Sequence, residues 1–186
     1  MRMLVTGTSG GIGGAVRRAA LAVGHEVVEM NRGGFDAPLE GSFDAVVFAT
    51  GMCPVTSLVR LTDEAFAETV RVNCGLFVKL MRRLVGERLF APAGARVVAV
   101  SSVSAVEGWA GGAAYCASKG ALSAVCRALD AELKPRRVSV IALEPRYVRT
   151  QMFAACAGRM GVDPAQAQDP DDFAKEILDE CFPVIS

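Results

Sequence analysis

The sequence predicts an α/β fold with a doubly wound parallel sheet. Short apolar runs of strand length alternate along the chain with longer segments of helical periodicity, and the run Val138–Leu143 is apolar throughout. Alternating strands and helices form a parallel sheet covered on both faces, and strands buried on both faces are continuously apolar. With 186 residues, 52% of them hydrophobic, the chain is sufficient for one domain.

The first strand, predicted around Met3–Val5, ends in a glycine-rich turn before a helix. The turn consists of Thr6, Gly7, Thr8, Ser9, Gly10, Gly11, Ile12 and Gly13. Glycines let the backbone turn tightly and approach a pyrophosphate, whose charge is favoured by the free N–H groups of the helix. The pattern indicates nucleotide binding on a Rossmann-like sheet, and an ordinary tight turn is the alternative.

The second strand, predicted at His25–Met30, is followed by Asn31 and Arg32. An acidic residue usually stands here in Rossmann-like units and binds the adenosine ribose. A neutral side chain followed by a guanidinium suits a 2′-phosphate instead. The sequence therefore favours NADP(H) over NAD(H), with a solvated Arg32 as the alternative. His25 is expected to be structural.

The connection to the next strand is short. The segment Gly33–Ser42 precedes the apolar run Ala45–Ala49, and a crossover that adds a strand and its helix needs more residues. We therefore predict that the usual third strand and its helix are missing. The acids after Thr62 then predict a helix that runs to about Gly86. Its predicted apolar side consists of Phe66, Val70, Leu76, Phe77, Leu80, Met81 and Leu84.

A tyrosine and a lysine lie one turn apart in the helix predicted from about Ala113. Tyr115 and Lys119 are four residues apart, so both face the same way. A phenol titrates near ~10 in water, and a nearby cation makes it a usable acid or base near neutrality. Small or apolar residues occur on nearly every side of this helix, so we expect the sheet and a partner subunit to bury it.

Together these features resemble the classical short-chain dehydrogenases/reductases. The motifs that carry the resemblance are Thr6-Gly7 with Gly11-Ile12-Gly13, Asn73 after Val72, Ser102 thirteen residues before Tyr115, and Tyr115 with Lys119. They extend from about Met3 to Met152, and a final helix follows. The resemblance implies a single NADP(H)-binding domain over residues 1–186 that reduces a small or medium ketone or aldehyde, or performs the reverse oxidation.

Two other functions remain open. The turn also fits the extended, epimerase-like branch of the family through Gly7, Gly10 and Gly13, which would allow a redox-neutral epimerase or dehydratase. A non-catalytic NADP-binding sensor on the same fold is the other alternative. The intact set of polar residues argues against the sensor, because a site that had lost its catalytic activity would not need all of these residues.

The resemblance implies four catalytic residues. Tyr115 would exchange a proton with the substrate oxygen, and Lys119 would lower the pKa of Tyr115 and hold the nicotinamide ribose. Ser102 would polarise the substrate oxygen, and Asn73 would anchor a water relay to Lys119. The cofactor-binding residues that it implies are Gly7, Thr8, Ser9, Gly11, Ile12, Gly13, Asn31, Arg32, Gly51, Tyr115, Lys119, Pro145, Val148 and Thr150. The alternatives are a strand-end cap for Ser102, a backbone partner for Asn73 and a solvated charge for Lys119.

The chain departs from the family in two places near the site. Phe48-Ala49-Thr50-Gly51 stands for Asn-Asn-Ala-Gly, and Pro145-Arg146 stands for Pro-Gly. A side chain at position 146 disfavours a positive φ and would shrink or charge the nicotinamide pocket. Arg146 would either bind a substrate carboxylate or point to solvent.

The end of the chain is also short. We predict a mobile lid at Gly158–Gln168, a helix at Asp171–Cys181 and a seventh strand that is absent or a stub. The expected sheet has five parallel strands in the family order 2-1-4-5-6. The substrate pocket is expected to involve Ser104, Trp109, Tyr147, Met152 and Phe153.

Charge and composition limit the kinds of partner and ligand that we expect. Twenty basic residues balance twenty acidic ones, so we expect a small-molecule substrate, no nucleic acid and no membrane. The six cysteines form no metal-binding pattern, and we expect reduced, structural thiols and no metal. An apolar strand directly after Met1-Arg2 leaves no room for a signal peptide, which favours the cytoplasm. A homo-oligomer, dimer or tetramer, is expected through the helices that carry Asn73 and Tyr115.

Overall fold

The computed structural model describes residues 1–31 and 33–183. The described chain forms one sheet of five strands, all parallel, in the order β2-β1-β3-β4-β5. The strands are β1 (Arg2–Thr6), β2 (Glu26–Met30), β3 (Ala45–Phe48), β4 (Ala95–Val100) and β5 (Val138–Leu143). The doubly wound parallel sheet and its order are therefore confirmed.

Helices cover both faces of the sheet. They are α1 (Gly11–Ala22), α2 (Asp63–Val70), α3 (Leu76–Gly86), α4 (Ala113–Leu133), α5 (Gln151–Met160) and α6 (Pro170–Cys181). Met3 and Val5 of β1 pack in the core beneath α1 and α6, whereas Leu4 packs in the opposite core beneath α3 and α4. This alternation along one strand follows from the period of two in β structure. No helix in the described part of the chain combines the length and apolarity needed to cross a bilayer.

In the described residues of the connection between β2 and β3, the helical structure is one 3₁₀ turn, Gly34–Asp36. Phe35 in this turn is buried, and its ring packs against the edge of Phe48 at 6.3 Å between centroids. In the described residues β2 is the edge of the sheet and no strand pairs beyond it, so the missing third strand is confirmed. After α6 the described chain contains no strand; residues 184–186, where part of the predicted stub falls, lie outside the described residues.

The helix predicted from Thr62 to Gly86 forms, but one wide turn interrupts it. Thr62 caps α2 by accepting a hydrogen bond from the N–H of Ala65 at 3.2 Å. A π-helical turn, Arg71–Gly75, then joins α2 to α3. The extra residue in this turn rotates the side chains that precede it relative to those that follow. Phe66 is therefore 40% exposed, and its predicted place on the apolar side was wrong.

The long helix α4 is less buried than its composition predicts. Leu122 and Cys126 face the core, but Ala117, Ala124 and Ala128 are exposed. The sheet therefore buries one side of α4, and burial of its exposed side by a partner subunit stays a prediction.

The segment predicted as a lid is largely ordered secondary structure. Helix α5 continues to Met160, so Gly158 lies inside it, and Gly161 ends it in the left-handed conformation at φ +67°. Further on, Gln168 donates its N–H to the carbonyl of Tyr147 and accepts from the N–H of Arg149, both at 2.9 Å. These bonds fasten the end of the segment to the chain that follows β5.

Candidate active site

The carboxyl ends of four strands converge on one cavity of about 110 Å³. The glycine turn follows β1, Gly51 follows β3, Ser102 follows β4 and the segment from Pro145 to Thr150 follows β5. The predicted catalytic and cofactor-binding residues that line the cavity are Ile12, Gly51, Ser102, Tyr115, Lys119, Pro145, Val148 and Thr150. The expected pocket residues Ser104, Trp109, Tyr147, Met152 and Phe153 line it as well.

Lys119 lies beneath this cavity with its charge in the interior. Its Nζ donates a hydrogen bond to the carbonyl oxygen of Val100 at 2.7 Å, and it lies 5.7 Å from the ring centroid of Tyr115. Burial lowers the pKa of Lys119 to about 8. The ammonium group is therefore held at the carboxyl end of β4 and is not a solvated helix charge.

The Tyr115 phenol has a pKa above its usual value. Burial is the largest cause, since it penalises the phenolate, and a side-chain hydrogen bond with Ser102 acts in the opposite direction. The expected lowering of the Tyr115 pKa by Lys119 is not found, because Nζ points to the Val100 carbonyl. In this structure the phenol is poised as a proton donor.

Ser102 and Trp109 surround the tyrosine. The Ser102 hydroxyl accepts the N–H of Ser104 at 3.1 Å, so Ser102 is both a strand-end cap and a partner of Tyr115. Trp109 donates its indole N–H to the Ser104 hydroxyl at 3.2 Å, and its ring lies 6.4 Å from that of Tyr115. A Cβ on Gly112 would lie 2.5 Å from the indole, so only glycine leaves room for this ring position.

Asn73 is fully buried in the π-helical turn, behind the cavity. Its Oδ1 accepts the N–H of Met52 at 2.8 Å, and its Nδ2 donates to the Met52 carbonyl at 2.9 Å and to the Ser118 hydroxyl at 2.8 Å. One side chain thus joins the loop after β3 to α4 beside Lys119. These contacts support a positioning role, and the water relay stays a prediction.

The glycine turn has the close contacts that a dinucleotide site requires. Gly7 has φ +70°, and a Cβ there would lie 2.8 Å from the carbonyl oxygen of Ala49. A Cβ on Gly13 would lie 2.3 Å from the Gly7 carbonyl oxygen, so the helix packs directly on the turn. The first N–H groups of α1 face the end of β1, where a pyrophosphate would be bound. The residues present therefore fit a nicotinamide dinucleotide.

At the end of β2, Asn31 and Thr8 form a small polar network. Asn31 Nδ2 donates to Thr8 Oγ1 at 2.9 Å, and Asn31 Oδ1 accepts the N–H of Ser9 at 3.2 Å. The Thr8 hydroxyl donates to Glu29 at 2.6 Å, and Glu29 is ion-paired with Arg17. Glu29 is not among the predicted site residues, although it stands in β2 two residues before Asn31. Arg32 lies outside the described residues.

Arg146 is held at the rim of the cavity by Glu107. Two hydrogen bonds join the guanidinium to the carboxylate, at 2.7 and 3.1 Å, and the Arg146 side chain is 59% exposed. The backbone at Arg146 does not adopt a positive φ, so the side chain is accommodated without strain. The exposed side chain agrees with the alternative in which Arg146 points to solvent, and its partner is an acid of the chain itself.

Two cysteines also contact the cavity, which the sequence did not indicate. Cys53 lies on the loop after β3 and Cys156 lies on α5, and both line the cavity. All six cysteines are free. No three His, Cys, Asp or Glu side chains within the described ranges are grouped so that they could hold a metal ion.

Comparisons with known proteins agree with this arrangement. A sequence model of the short chain dehydrogenase family matches residues 36–160. The 3-oxoacyl-[acyl-carrier-protein] reductase FabG of Rickettsia felis is 26% identical over 177 residues, covering 80% of this chain and 73% of the relative. The short-chain reductase NovJ of Streptomyces niveus is 32% identical over 123 residues, covering 66% and 46%.

Solved structures share the fold. A short chain dehydrogenase family protein from Francisella tularensis superposes with a TM-score of 0.84 at 19% identity, over 98% of this chain and 91% of the other. The 3-ketoacyl-(acyl-carrier-protein) reductase from Brucella melitensis, solved with NADH, gives 0.81 at 22% identity, over 98% and 90%. A variant actinorhodin polyketide ketoreductase with NADPH gives 0.82 at 18%, over 98% and 90%. The chain belongs to the short chain dehydrogenase family and is an NAD(P)-dependent oxidoreductase.

Proposed function

We propose that this protein reduces a small or medium ketone or aldehyde to an alcohol with NADPH, or catalyses the reverse oxidation. The observation that carries the proposal is the convergence of Ser102, Tyr115 and Lys119 on one cavity beside the glycine turn. A bound nicotinamide supplies the hydride, or accepts it in the reverse direction. Relatives named as ketoacyl reductases and a ketoreductase support this class of reaction.

Three residues of the cavity have different roles in the proton transfer. Tyr115 donates its proton to the substrate oxygen, and the raised pKa keeps the phenol protonated at neutral pH. The Ser102 hydroxyl hydrogen-bonds the same oxygen as negative charge develops on it. Lys119, mostly charged at pH 7 with a pKa of about 8, places a positive charge below the phenol and the nicotinamide ribose.

The preference for NADP(H) rests on the end of β2. The residue there is the neutral Asn31, and the nearby carboxylate of Glu29 is engaged by Thr8 and Arg17. Arg32 would then bind the 2′-phosphate. The preference is tested by fluorescence titration with NADPH and NADH. We expect Arg32→Ala to weaken NADPH binding and to leave NADH binding unchanged, while Arg136→Ala, at the opposite end of the sheet, changes neither.

The substrate is proposed to be small and uncharged. The cavity is enclosed by apolar side chains, including Trp109, Met152 and Phe153, and Arg146 at its rim is neutralised by Glu107. The acidic and basic residues of the chain balance, so neither a nucleic acid nor a membrane surface is proposed as a partner. We also propose that the protein is located in the cytoplasm.

A homo-oligomer, dimer or tetramer, is proposed through the helices that carry Asn73 and Tyr115. An apolar groove between α3 and α4 is bordered by Val78, Val85, Val125 and Leu129, with the exposed Ala128 beside them. A second copy would bury this groove. Light scattering is expected to give at least a dimer, which Ala128→Glu dissociates and Ala93→Glu, on a distant loop, does not. A monomeric parent protein would contradict the proposal.

The reaction itself is tested by NADPH consumption against a panel of ketones, with Tyr115→Phe alongside. Loss of a positioned acid costs about 10²- to 10⁴-fold in rate, and we expect Tyr115→Phe to keep its fold. Nucleotide binding without turnover of any ketone would favour the sensor. Redox-neutral conversion with tightly held cofactor would favour an epimerase or dehydratase.

A further inference from the structure

Two buried hydroxyl groups bond to each other at the edge of the cavity. Ser101 follows β4 and lines the cavity, and Ser123 lies in α4, one turn after Lys119. Their oxygens are 2.7 Å apart, and each residue is 2% exposed. The proposed reaction uses neither hydroxyl. A buried hydroxyl costs free energy unless it is hydrogen-bonded, so the remaining partners of the pair decide what it contributes.

A carboxylate at the end of the next strand completes the pair. Ser123 donates to Glu144 Oε1 at 2.6 Å. Glu144 is exposed, directly follows β5 and directly precedes Pro145, which lines the cavity. An ionised carboxylate only accepts hydrogen bonds, and Ser123 has one proton, so Ser101 is the donor to Ser123. The Glu144–Ser123–Ser101 chain of hydrogen bonds therefore has one direction, and its bond to the carboxylate is the strong, charge-assisted one.

The same chain of bonds reaches the backbone of Lys119. The Ser101 hydroxyl also directs its proton towards the carbonyl oxygen of Lys119, at 3.2 Å. Lys119 Nζ donates to the carbonyl oxygen of Val100, the last residue of β4, at 2.7 Å. Lys119 is thus bonded to two consecutive residues, and Ser102 is the next. Because Tyr115 and Lys119 belong to one helix, these bonds set where the phenol lies relative to the Ser102 hydroxyl.

Strand pairing alone does not fix α4 at this level. The ladder between β4 and β5 joins six residues of each strand and involves no side chain of α4. In the described part of the chain, two side chains of α4 bond β5 or the residue after it. Asp130 accepts the N–H of Val140 at 2.8 Å, and Ser123 bonds Glu144 about two turns earlier in the helix. The second bond lies beside the cavity, whereas neither Asp130 nor Val140 lines it.

We propose that Ser123 and Glu144 are positioning residues, which hold Ser102 and the segment after β5 in the geometry that the reaction needs. They join the ends of β4 and β5 to α4, and these elements carry the residues assigned to the substrate and the nicotinamide. Neither side chain lines the cavity, so both act through Ser101 and the backbone. The effect on turnover rests on the proposed function, whereas the held geometry does not.

The first test compares kcat and KM for ketone reduction. Because small displacements of reacting groups cost rate and not substrate contacts, we expect Glu144→Ala to lower kcat by roughly tenfold and to change KM by less than about twofold. Glu144→Gln keeps an acceptor of the same reach and should keep kcat within about threefold of the parent. Ser123→Ala should match Glu144→Ala, and the double variant should be no slower than either, since all three break one chain of bonds. Asp130→Ala is the control and should leave kcat unchanged.

The single tryptophan of the chain reports the same geometry without any substrate. Trp109 donates its indole N–H to the Ser104 hydroxyl, and the N–H of Ser104 donates to the Ser102 hydroxyl. A shift of Ser102 therefore changes the surroundings of the indole. We expect Glu144→Ala to move the emission of Trp109 to longer wavelength and to increase its quenching by acrylamide. Glu144→Gln and Asp130→Ala should show neither change.

The outcomes separate this inference from the proposed reaction. A changed Trp109 emission in Glu144→Ala, in a protein that reduces no ketone, supports the positioning of Ser102 and contradicts the reductase. Unchanged emission in Glu144→Ala overturns the inference whatever the rate, as does changed emission with unchanged kcat in an active protein. Equal effects of Glu144→Ala and Asp130→Ala overturn it too, since any loosening of α4 would then suffice. A Glu144→Gln variant that loses as much kcat as Glu144→Ala would contradict the role of the hydrogen bond.

Discussion

Lys119 Nζ donates a hydrogen bond to the carbonyl oxygen of Val100 at 2.7 Å, in the interior of the protein. The bond joins the first half of α4 to the last residue of β4, immediately before Ser101 and Ser102. Lys119 is 5% exposed, and burial lowers its pKa to about 8. A buried ammonium group costs stability, and such groups are concentrated at functional sites.

The first prediction concerns the pH dependence of stability. The folded protein holds Lys119 with a pKa of about 8, below the value of about 10.4 in an unfolded chain. Between these values the unfolded chain binds more protons, so the destabilisation by Lys119 is complete below pH 8 and disappears as pH rises through 10.4. Relative to the parent, Lys119→Met is therefore expected to lose about 2 kcal/mol of stability between pH 7 and pH 9.5.

Urea unfolding of the two proteins at both pH values measures this difference. Groups remote from Lys119 that titrate in the range are common to both proteins and cancel in the comparison. The electrostatic interaction of Lys119 with Cys53, Cys74 and Cys126 does not cancel and is part of the measured difference. Lys134→Met, at an exposed position after α4, is the matched control and should follow the parent at both pH values. If the stabilities of parent and Lys119→Met change in parallel, the lysine is not buried as a charge.

A second prediction concerns Asn73 and Ser118, which bond at 2.8 Å. Each alanine substitution leaves buried polar groups unpaired and is expected to cost about 1–3 kcal/mol. Because the two residues share one hydrogen bond, the double variant should cost about 1 kcal/mol less than the sum. The measurement is a double-mutant cycle of unfolding free energies. The cycle of Asn73→Ala with Ser123→Ala, whose hydroxyl bonds Ser101 and Glu144 instead, should be additive.

Much of the fold could be predicted because its signals are local. Each strand is a short apolar run, each βα turn has its own glycines or caps, and Phe48 ends a run as clearly as Val100 does. The spacing of Ser102, Tyr115 and Lys119 also follows from local structure, since a strand end and one helix turn bring them together. The missing third strand was predictable because length alone decides whether a crossover can contain one.

The remainder depends on contacts between distant segments. No local pattern indicates the π-helical turn around Asn73, and Met52, the backbone partner of Asn73, is 21 residues away in sequence. Arg146 meets Glu107 only because two loops lie side by side, and no periodicity pairs them. The same holds for Cys53 and Cys156, which line one cavity through the position of α5. The contact partners of surface and loop residues could therefore be identified only from the structure, whereas the sheet could be predicted from the sequence.

A third prediction concerns the direction of proton transfer. Because burial raises the Tyr115 pKa above its usual value, the phenol keeps its proton well above neutrality. Loss of the Tyr115 proton should therefore not slow reduction between pH 7 and pH 9, where only the loss of charge on Lys119, with a pKa of about 8, contributes a decline. The rate of oxidation, which needs the phenolate, should rise about tenfold for each pH unit. Ser102→Ala removes the bond that lowers this pKa and should move the oxidation profile to higher pH.

Profiles of kcat against pH in both directions provide the measurement, and Ser139→Ala, on β5 away from the site, is the control. Loss of charge on Lys119 alone accounts for at most about a twofold decline in reduction between pH 7 and pH 8. A steeper decline would show that the phenol titrates near neutrality, and the cause assigned to burial would be wrong.

The fourth prediction uses the ion pair at the rim of the cavity. Glu107→Gln leaves the guanidinium of Arg146 without its carboxylate, close to the substrate entrance. An exposed ion pair contributes about 0–1 kcal/mol to stability, so the variant should fold normally. A released arginine binds carboxylates through two hydrogen bonds, and we expect kcat/KM for a 2-oxo acid, relative to its methyl ester, to rise by roughly three- to tenfold.

The additional change Arg146→Gln should cancel the gain, and Asp172→Asn, which breaks an exposed pair on α6, should not produce it. An unchanged ratio in Glu107→Gln would mean that the pair does not influence which substrates enter.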